Sequence, residues 1–236
     1  MKRTVSVVIP LYNQARYIYR AVASAYWQLG PDDQIVVVDD ASGDQAGPDC
    51  IRPFCDRVLW LRNETNRGVS HTRNRGIQNS RAEWIKFLDA DDVLAPYALN
   101  YIQYAADLPA RIQVVTGGCH RIFDNQYRDF LHGAQEDLNY ILNKNPMLPS
   151  ATFVRRQALV DVGLFDERID FEEDWDLWLR LHEKFGPEAF FVTEQPFCFY
   201  WLAEAERAHA EATRSAMVDG LPVHDYFRKR YGADPW

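Results

Sequence analysis

The feature of this sequence that most constrains the fold is a short apolar run that ends in acids, Trp84-Ile85-Lys86-Phe87-Leu88-Asp89-Ala90-Asp91-Asp92. Its aromatic and β-branched members predict a buried strand over residues 84–88. Because Asp is depleted in strands and common where they end, the three carboxylates are expected at the strand's carboxyl end, the edge where open α/β sheets bind ligands. Two interpretations stay open: a solvated acidic loop, or a site for a hard divalent cation that relieves the repulsion among the acids.

The composition predicts a globular protein and excludes several kinds of partner. Hydrophobic residues make up 47% of the 236 residues, charged residues 25%, and the formal net charge is −8. Binding to nucleic acid or to anionic lipid favours basic surfaces, so we expect no nucleic-acid partner. Apolar runs are too short for a membrane-spanning helix or a signal peptide, and the four cysteines lack metal-ligand spacing. We therefore expect a reduced, cytoplasmic protein.

A strand–helix–strand pattern opens the chain. Residues 4–9 form a β-branched run that Pro10 is expected to end. Apolar residues recur at helical spacing over 18–29, with Asn13 as a candidate N-cap, and a second strand is predicted over 34–38. The crossover between two such strands is right-handed, and both deliver polar loops to one edge of a parallel sheet.

The acids that follow the second strand are another candidate site. Asp39 and Asp40 could cap the next helix, or could accept hydrogen bonds from a ribose or a base, as the acidic residue of dinucleotide folds does. Neither GxGxxG nor GxxxxGK[ST] occurs in the chain, so a dinucleotide fingerprint and a P-loop are excluded. Phosphates would need another ligand, and a metal ion is the expected one.

A basic cluster precedes the acidic run. Arg67, Arg73 and Arg75 lie within residues 63–76 of an acidic chain. A solvated helix face is the ordinary explanation, and anion binding is the alternative, since the planar guanidinium fits phosphate and carboxylate geometry. Arg73 is the residue that we expect to reach an anion held at Asp91.

The hydrophobic pattern of the rest of the chain predicts further strands and helices and one region without a regular period. Further strands are expected over 57–61, 111–116, 150–154, 189–192 and 197–201. Further helices are expected over 96–108, from 155, around 174–182 and over 203–216. Gly117-Gly118 is expected to end the strand at 111–116. Residues 119–148, which include Asn145, show no steady period and predict loops, either specificity-bearing or merely exposed.

A second acidic cluster opens one of these helices. Glu172, Glu173 and Asp174 precede Trp175 and Trp178, which fall on one helical face. Acids at a helix N-terminus are favoured by the macrodipole, so ordinary helix-start chemistry would explain them. The functional alternative is a general base, because crowded like charges raise the pKa of a carboxyl group and enzymes use this effect.

Five blocks together resemble the family 2 glycosyltransferases of the GT-A fold: VSVVIPLYNQARYI, IVVVDDASGD, NRGVSHTRNRGI, AEWIKFLDADDVL and VGLFDERIDFEEDWDLWLRL. They follow the family's order over residues 4–182. The resemblance implies an α/β, GT-A-like, Rossmann-related nucleotide-diphospho-sugar transferase fold with a mostly parallel central sheet. It implies a nucleotide-sugar-binding half at residues 1–116, an acceptor-binding and catalytic half at 117–202, and a C-terminal helical tail at 203–236.

The resemblance also implies roles for individual residues. The nucleotide-sugar would be bound by Pro10, Tyr12, Asp39, Asp40, Arg73, Asp89 and Glu173. Within this set Asp40, alone or together with Asp39, would read the base. Arg73 would lie near the uracil or the diphosphate, and Asp89 would touch the ribose. Mg²⁺ or Mn²⁺ would bind the diphosphate through Asp91 or Asp92. Asp174 would take the proton of the acceptor hydroxyl in an inverting transfer.

Partners follow from the same resemblance. The donor would be a nucleoside-diphosphate-sugar, with a UDP-sugar expected first, and the acceptor a saccharide or lipid-linked saccharide of a surface polysaccharide or glycan. A lipid-linked acceptor would be met at the cytoplasmic face of the membrane. The basic residues of the 226–236 tail are a candidate for peripheral membrane contact. His209 could be a late metal ligand, although a surface histidine is the ordinary interpretation.

Two rival functions stay open. A nucleotidyltransferase on a related scaffold would need a Gly-rich, basic signature after the first strand, where Leu11-Tyr12-Asn13-Gln14 stands instead. A non-catalytic nucleotide-sugar-binding module would keep the fold and lose the catalytic carboxylates. The chain also departs from the family's pattern at Leu202-Ala203-Glu204, so no basic residue or His is carried over there.

Overall fold

A computed structural model describes residues 3–105, 108–123, 126–131, 145, 147–202 and 217–232. The strands are β1 (Val5–Leu11), β2 (Gln34–Asp39), β3 (Val58–Arg62), β4 (Trp84–Phe87), β5 (Val93–Leu94), β6 (Val114–Phe123), β7 (Gln126–Leu131), β8 (Thr152–Arg155), β9 (Phe190–Leu202), β10 (Met217–Val218) and β11 (Leu221–Pro222). The α-helices are α1 (Ala15–Tyr26), α2 (Val69–Gln78), α3 (Ala98–Gln103), α4 (Arg156–Asp161), α5 (Glu173–Phe185) and α6 (Val223–Tyr231). Short 3₁₀ segments lie at Pro48–Arg57, Pro149–Ala151 and Pro187–Ala189.

One nine-stranded sheet organises the molecule, in the order β3-β2-β1-β4-β8-β6-β9-β5, with β7 paired to β6. Its N-terminal part is parallel: β1 lies between β2 and β4, and β2 lies beside β3. Every residue of β1 and β2 is buried, because such parallel strands are covered on both faces. The predicted α/β class is confirmed, and the carboxyl ends of these strands share one edge.

The C-terminal part of the sheet is mixed. Strand β8 runs antiparallel to both β4 and β6, whereas β6 and β9 are parallel. A second core forms on the face covered by α5, where Trp178 is fully buried and Trp175 stacks on Phe227 of α6 with ring centroids 4.8 Å apart. The division after residue 116 stays a prediction, and it falls inside β6.

Two expectations about the first strand and helix are wrong. Strand β1 continues through Pro10 to Leu11. Because β4 pairs only with Val5–Val8, Pro10 has a strand neighbour on one side only, where a missing N–H is tolerated. Asn13 is not the N-cap of α1, since Gln14 occupies that position and Asn13 Oδ1 accepts a hydrogen bond from Gly43 N at 2.8 Å.

The glycine pair does not end the sixth strand, and this expectation is also wrong. Strand β6 runs through Gly117 and Gly118. Neighbouring groups come so close to the backbone there that only a residue without a side chain fits. A Cβ at Gly117 would lie 2.4 Å from the Gln195 carbonyl oxygen, and one at Gly118 would lie 2.2 Å from the Phe130 ring. The described part of the aperiodic region therefore contains a hairpin, β6–β7, instead of loops alone.

The bounds of several other elements also differ from the predicted ones. The two strands expected near residues 190 and 200 are one strand, β9, whose register against β6 shifts around Gly118. The helix expected over 96–108 is confined to Ala98–Gln103. The helix expected over 203–216, with His209, lies outside the described residues. Within the ranges that the structure covers, no helix is long and apolar enough to cross a bilayer.

Candidate active site

A cleft of 380 Å³ opens at the carboxyl ends of the parallel strands. Six of the residues predicted to bind donor or metal line it: Pro10, Tyr12, Asp40, Arg73, Asp89 and Asp91. The strand ends bring them together, since loops after β1, β2 and β4 meet at this edge and α2 closes one side. Asp39, Asp92, Glu173 and Asp174 do not line this cleft.

Asp40 organises the loop that leads into α2. Its carboxylate accepts hydrogen bonds from Asn63 Nδ2 at 2.6 Å, from Gly68 N at 2.9 Å and from Arg67 N at 2.9 Å. Gly68 adopts φ +84, a conformation that glycine reaches without steric cost. The side chain thus fixes the wall of the cleft. A nucleobase that bound to Asp40 would share its carboxylate oxygens with these protein donors.

Asp39 points the other way. Its side chain is fully buried, forms an ion pair with Arg62, and accepts a hydrogen bond from Ser42 N at 2.9 Å. Such a carboxylate holds the loop after β2 in place, and it presents no oxygen to the cleft.

Arg73 joins the cleft to the start of α5. Its guanidinium contacts Asp89 Oδ1 at 2.8 Å and Glu173 Oε1 at 2.5 Å, with a side chain only 4% exposed. Burial opposes the charged form, but Asp89 and then Glu173 outweigh it and raise the pKa of Arg73. Arg73 is therefore a buried cation between two acidic groups.

Asp91 and Asp92 have opposite environments. Asp91 lines the cleft, where Gln14 Nε2 donates to its Oδ2 at 3.2 Å and Arg20 Nη2 donates to its carbonyl oxygen at 2.6 Å. Asp92 is fully buried, and its Oδ1 accepts from Trp201 N at 3.0 Å. Burial, and then the charges of Asp91 and Asp89, raise the pKa of Asp92.

These environments decide which residue could hold a metal. Among the residues that the structure describes, no three His, Cys, Asp or Glu side chains form a ready-made metal site. A divalent ion would therefore bind through Asp91 together with phosphate oxygens of a ligand, a ligand set that suits Mg²⁺. Asp89 is committed to Arg73, and Asp92 faces the interior.

A second group of acids lies at the start of α5. Asp174 stands in its first turn, and Glu172 occupies the N-cap position with φ +60. Burial, then Glu173, then Glu172 raise the pKa of Asp174 well above its usual range, while Arg73 and a hydrogen bond from Asn145 oppose the shift. The pKa of Glu172 is likewise raised, mainly by burial. A raised pKa makes a carboxylate a stronger base, and carboxylates perturbed in this way are typical of catalytic sites.

The structure adds residues that the sequence did not identify. Gln14, Thr72 and Tyr200 line the cleft, and burial followed by the three nearby aspartates raises the pKa of Tyr200. Tyr200 belongs to β9, far along the chain from the other lining residues. No local pattern distinguishes it, because its place depends on the pairing of β9 with β5 and β6.

A cleft at this edge of an α/β sheet, linked through Arg73 to acids that include a carboxylate with a raised pKa, is typical of an enzyme active site. Residues 6–168 match the sequence profile described as glycosyl transferase family 2, and the chain belongs to this family. The protein is accordingly a glycosyltransferase, and relatives named as glycosyltransferases agree.

Relatives align over most of the chain. The uncharacterized Mycobacterium tuberculosis protein MT1568 is 31% identical, covering 92% of this chain and 70% of its own length. The uncharacterized Rickettsia prowazekii glycosyltransferase RP339 is 26% identical, covering 94% and 69%. The Mycobacterium bovis PGL/p-HBAD biosynthesis glycosyltransferase is 29% identical, covering 74% and 68%.

Solved structures confirm the GT-A-type fold. Staphylococcus aureus TarS 1-349 superposes with a TM-score of 0.67 at 21% identity, covering 91% of this chain and 64% of that chain. Its complex with UDP-GlcNAc gives a TM-score of 0.68 at 22% identity, covering 86% and 59%. This chain thus spans 59–64% of the length of these solved TarS chains.

Proposed function

We propose that this protein transfers a sugar from a nucleoside-diphosphate-sugar to an acceptor hydroxyl, with inversion at the anomeric carbon and with bound Mg²⁺ or Mn²⁺. The observation that carries the proposal is that Arg73 contacts both Asp89 in the cleft and Glu173 at the start of α5. It thereby links the cleft acids Asp89 and Asp91 to Asp174, the neighbour of Glu173 outside the cleft. The TarS structures in complex with UDP and UDP-GlcNAc support a UDP-sugar donor. The relative named for PGL/p-HBAD biosynthesis supports a role in polysaccharide or glycan synthesis.

The donor occupies the cleft in this proposal. Pro10 and Tyr12 flank the nucleoside, Asp40 contacts the base, and Asp89 contacts the ribose. Asp91 is the protein ligand of the divalent ion. When bound, such an ion supplies positive charge that stabilises the leaving diphosphate.

Asp174 takes the proton. The acceptor oxygen forms its bond to the anomeric carbon with its lone pair, its proton passes to the carboxylate of Asp174, and the bond from the anomeric carbon to the diphosphate breaks. Glu173 is less suited to this role because it is ion-paired with Arg73. The raised pKa of Asp174 brings its basicity closer to that of the hydroxyl than an ordinary carboxylate's would be.

The Asp174→Asn variant tests the base. Turnover should fall by roughly 10²–10⁴-fold, the usual contribution of a positioned general base. Nucleoside-diphosphate release from a panel of UDP-, GDP- and dTDP-sugars measures turnover, and calorimetry with UDP should show nearly unchanged binding. Asp161→Asn, on the exposed surface of α4, is the matched control and should keep full turnover.

Near-wild-type turnover of Asp174→Asn would show that another group accepts the proton. The same panel addresses the two rivals. A nucleotidyltransferase would release pyrophosphate from a nucleoside triphosphate and a sugar phosphate, and a non-catalytic module would bind UDP without releasing it from any sugar. A lipid-linked acceptor at the cytoplasmic membrane face remains part of the proposal.

A further inference from the structure

Asn145 lies beside the start of α5 with its side-chain amide between two carboxylates. Its Nδ2 donates to Glu172 Oε2 at 3.1 Å and to Asp174 Oδ1 at 3.0 Å. An amide nitrogen carries two N–H bonds, so each carboxylate can receive one of them. The sequence showed Asn145 only as one polar residue in an aperiodic region, and its contacts connect it to the acids of α5.

The chain at Asn145 is itself held against α5. Asn145 Oδ1 accepts a hydrogen bond from Met147 N at 3.4 Å, and the Met147 carbonyl accepts from Trp178 Nε1 at 3.2 Å. Met147 and Trp178 are buried in the same apolar cluster. The amide is therefore held from both sides, and its place relative to Asp174 does not depend on a ligand.

The two oxygens of Asp174 have different partners. Oδ1 accepts the hydrogen bond from Asn145 and a second one from Trp175 N at 2.8 Å. Two donors fill the usual acceptor capacity of one carboxylate oxygen. Within the described part of the chain, Oδ2 accepts no hydrogen bond. The carboxylate thus has one occupied oxygen and one that is open to a proton.

We propose that Asn145 is a positioning residue for sugar transfer: it occupies Oδ1 of Asp174 and so assigns the acceptor proton to Oδ2. This inference rests on the proposed role of Asp174 as the base. The proton leaves the acceptor hydroxyl for Oδ2 while the acceptor oxygen bonds to the anomeric carbon and the diphosphate departs. A base held in one orientation is effective because small misplacements of reacting groups are costly.

The charges around Asp174 explain why a neutral donor is useful there. Glu172 and Glu173 face it from its own helix start, and Arg73 faces it from α2. Burial and the two glutamates favour the protonated form of Asp174. Asn145 donates to the charged form and opposes them, which keeps a larger fraction of Asp174 ready to accept a proton.

Carboxyl NMR tests the hydrogen bond without any substrate. The full chain is labelled with ¹³C at aspartate carboxyl carbons and titrated, and the Asp174 signal is assigned by its loss in Asp174→Asn. Asn145→Ala should raise the Asp174 midpoint by about one pH unit, since a donor to the charged form is lost. Asn145→Asp has nearly the same shape, lacks both N–H donors and adds a charge, so it should raise the midpoint further.

Gln157→Ala is the matched control. Gln157 Nε2 donates to Asp161 Oδ1 at 2.8 Å on the exposed face of α4, so this variant also removes an amide from a carboxylate. It should leave the Asp174 midpoint and turnover unchanged. A purely packing role for Asn145 would make the isosteric Asn145→Asp milder than Asn145→Ala, which is opposite to our expectation.

Kinetics then connect the contact to the reaction. Using UDP release from whichever sugar of the donor panel is turned over, Asn145→Ala should lower kcat about 10- to 100-fold and move the acid limb of the pH profile upward, with the Kd for UDP unchanged. An unshifted Asp174 midpoint in both Asn145 variants would overturn the inference. Full turnover in Asp174→Asn would instead show that Asp174 is not the base. The NMR titration tests the hydrogen bond from Asn145 independently of that result.

Discussion

Neighbouring aspartates at the end of β2 differ because the chain there is extended. Successive side chains of an extended chain point to opposite sides. At the end of β2, Asp39 therefore turns into the interior and pairs with Arg62, while Asp40 faces the cleft. After β4 a turn separates the two acids instead: Asp92 N donates to the Asp89 carbonyl at 3.0 Å, Asp91 lines the cleft and Asp92 is buried. Adjacent identical residues thus have separate tasks.

The contrast between Asp91 and Asp92 predicts which variant loses metal-dependent binding. Asp91→Ala should abolish the part of UDP binding that requires Mn²⁺, because it removes the carboxylate in the cleft. Asp92→Asn should retain that part, because the pKa of Asp92 is raised and an amide resembles a protonated carboxyl in shape. Calorimetry of UDP binding with Mn²⁺ and with EDTA measures both. If UDP binding to Asp91→Ala remained sensitive to EDTA, Asp91 would not be the metal ligand.

Residue roles could be predicted from the sequence only in part. The motif spacing identified Asp40, Asp89 and Asp91, and all three line the cleft. It could not distinguish Asp39 or Asp92 from their neighbours, because burial of one of two adjacent acids depends on strand ends that are set by pairing. It did not assign Asn145 a role, because the contacts of this residue with Glu172 and Asp174 are made across 27 and 29 positions of sequence.

At the scale of elements, the pairing of β6 with β9 depends on closely packed backbones. The two strands are parallel partners from Val114 to Phe123, with a register shift beside Gly117. The carbonyl of Gln195 occupies the space where a side chain at Gly117 would stand. The glycine is therefore a requirement of the sheet, in agreement with the use of Gly where a backbone comes close.

Gly117→Ala should destabilise the fold. The new Cβ would meet a backbone oxygen at 2.4 Å, and a backbone group cannot rotate away, so the free energy of unfolding should fall by about 1–3 kcal/mol. Urea unfolding measures the change. Gly47→Ala is the control, since no atom lies within 4 Å of its added Cβ, and it should stay within about 0.5 kcal/mol of wild type. Equal stability of the two variants would show that β9 can shift.

Elements were predictable where the hydrophobic period was clear. The strands β2 and β4 and the helix α5 begin within a residue or two of their predicted positions. Predictions failed at Pro10 and at Gly117-Gly118, where a local rule about strand breakers met an exception created by a distant partner. The antiparallel insertion of β8 between β4 and β6 likewise leaves no mark in the local pattern.

At the scale of the whole molecule, the central sheet buries a lysine near Asp89 and Asp92. Lys86 of β4 is fully buried, its ammonium donates to the Ser150 carbonyl, and its Nζ lies 4.7 Å from the centroid of the Phe153 ring. Burial lowers the pKa of Lys86 to about 8, although Cys198 and Asp92 oppose the shift. An unfolded lysine has a pKa of about 10.4.

This difference predicts a pH dependence of stability. Between about pH 8 and pH 10.4 the unfolded state binds more protons than the folded state, so the contribution of Lys86 to the free energy of unfolding rises with pH. The rise is at most about 3 kcal/mol, and Lys86→Met should lack it. Urea unfolding at pH 7.5 and pH 10 (about the two ends of the window) measures the effect. The exposed Lys229→Met should behave as wild type, and an equal rise in Lys86→Met would assign the dependence to other groups.

The residues of the cleft and those around α5 come from different parts of the chain. Cleft-lining residues come from the loops after β1, β2 and β4, whereas Asp174, the proposed proton acceptor, and Asn145 belong to the chain around α5. Arg73 joins the two groups through Asp89 and Glu173. Because this arginine contacts a carboxylate on each side, its loss should disturb the cleft and the start of α5 together.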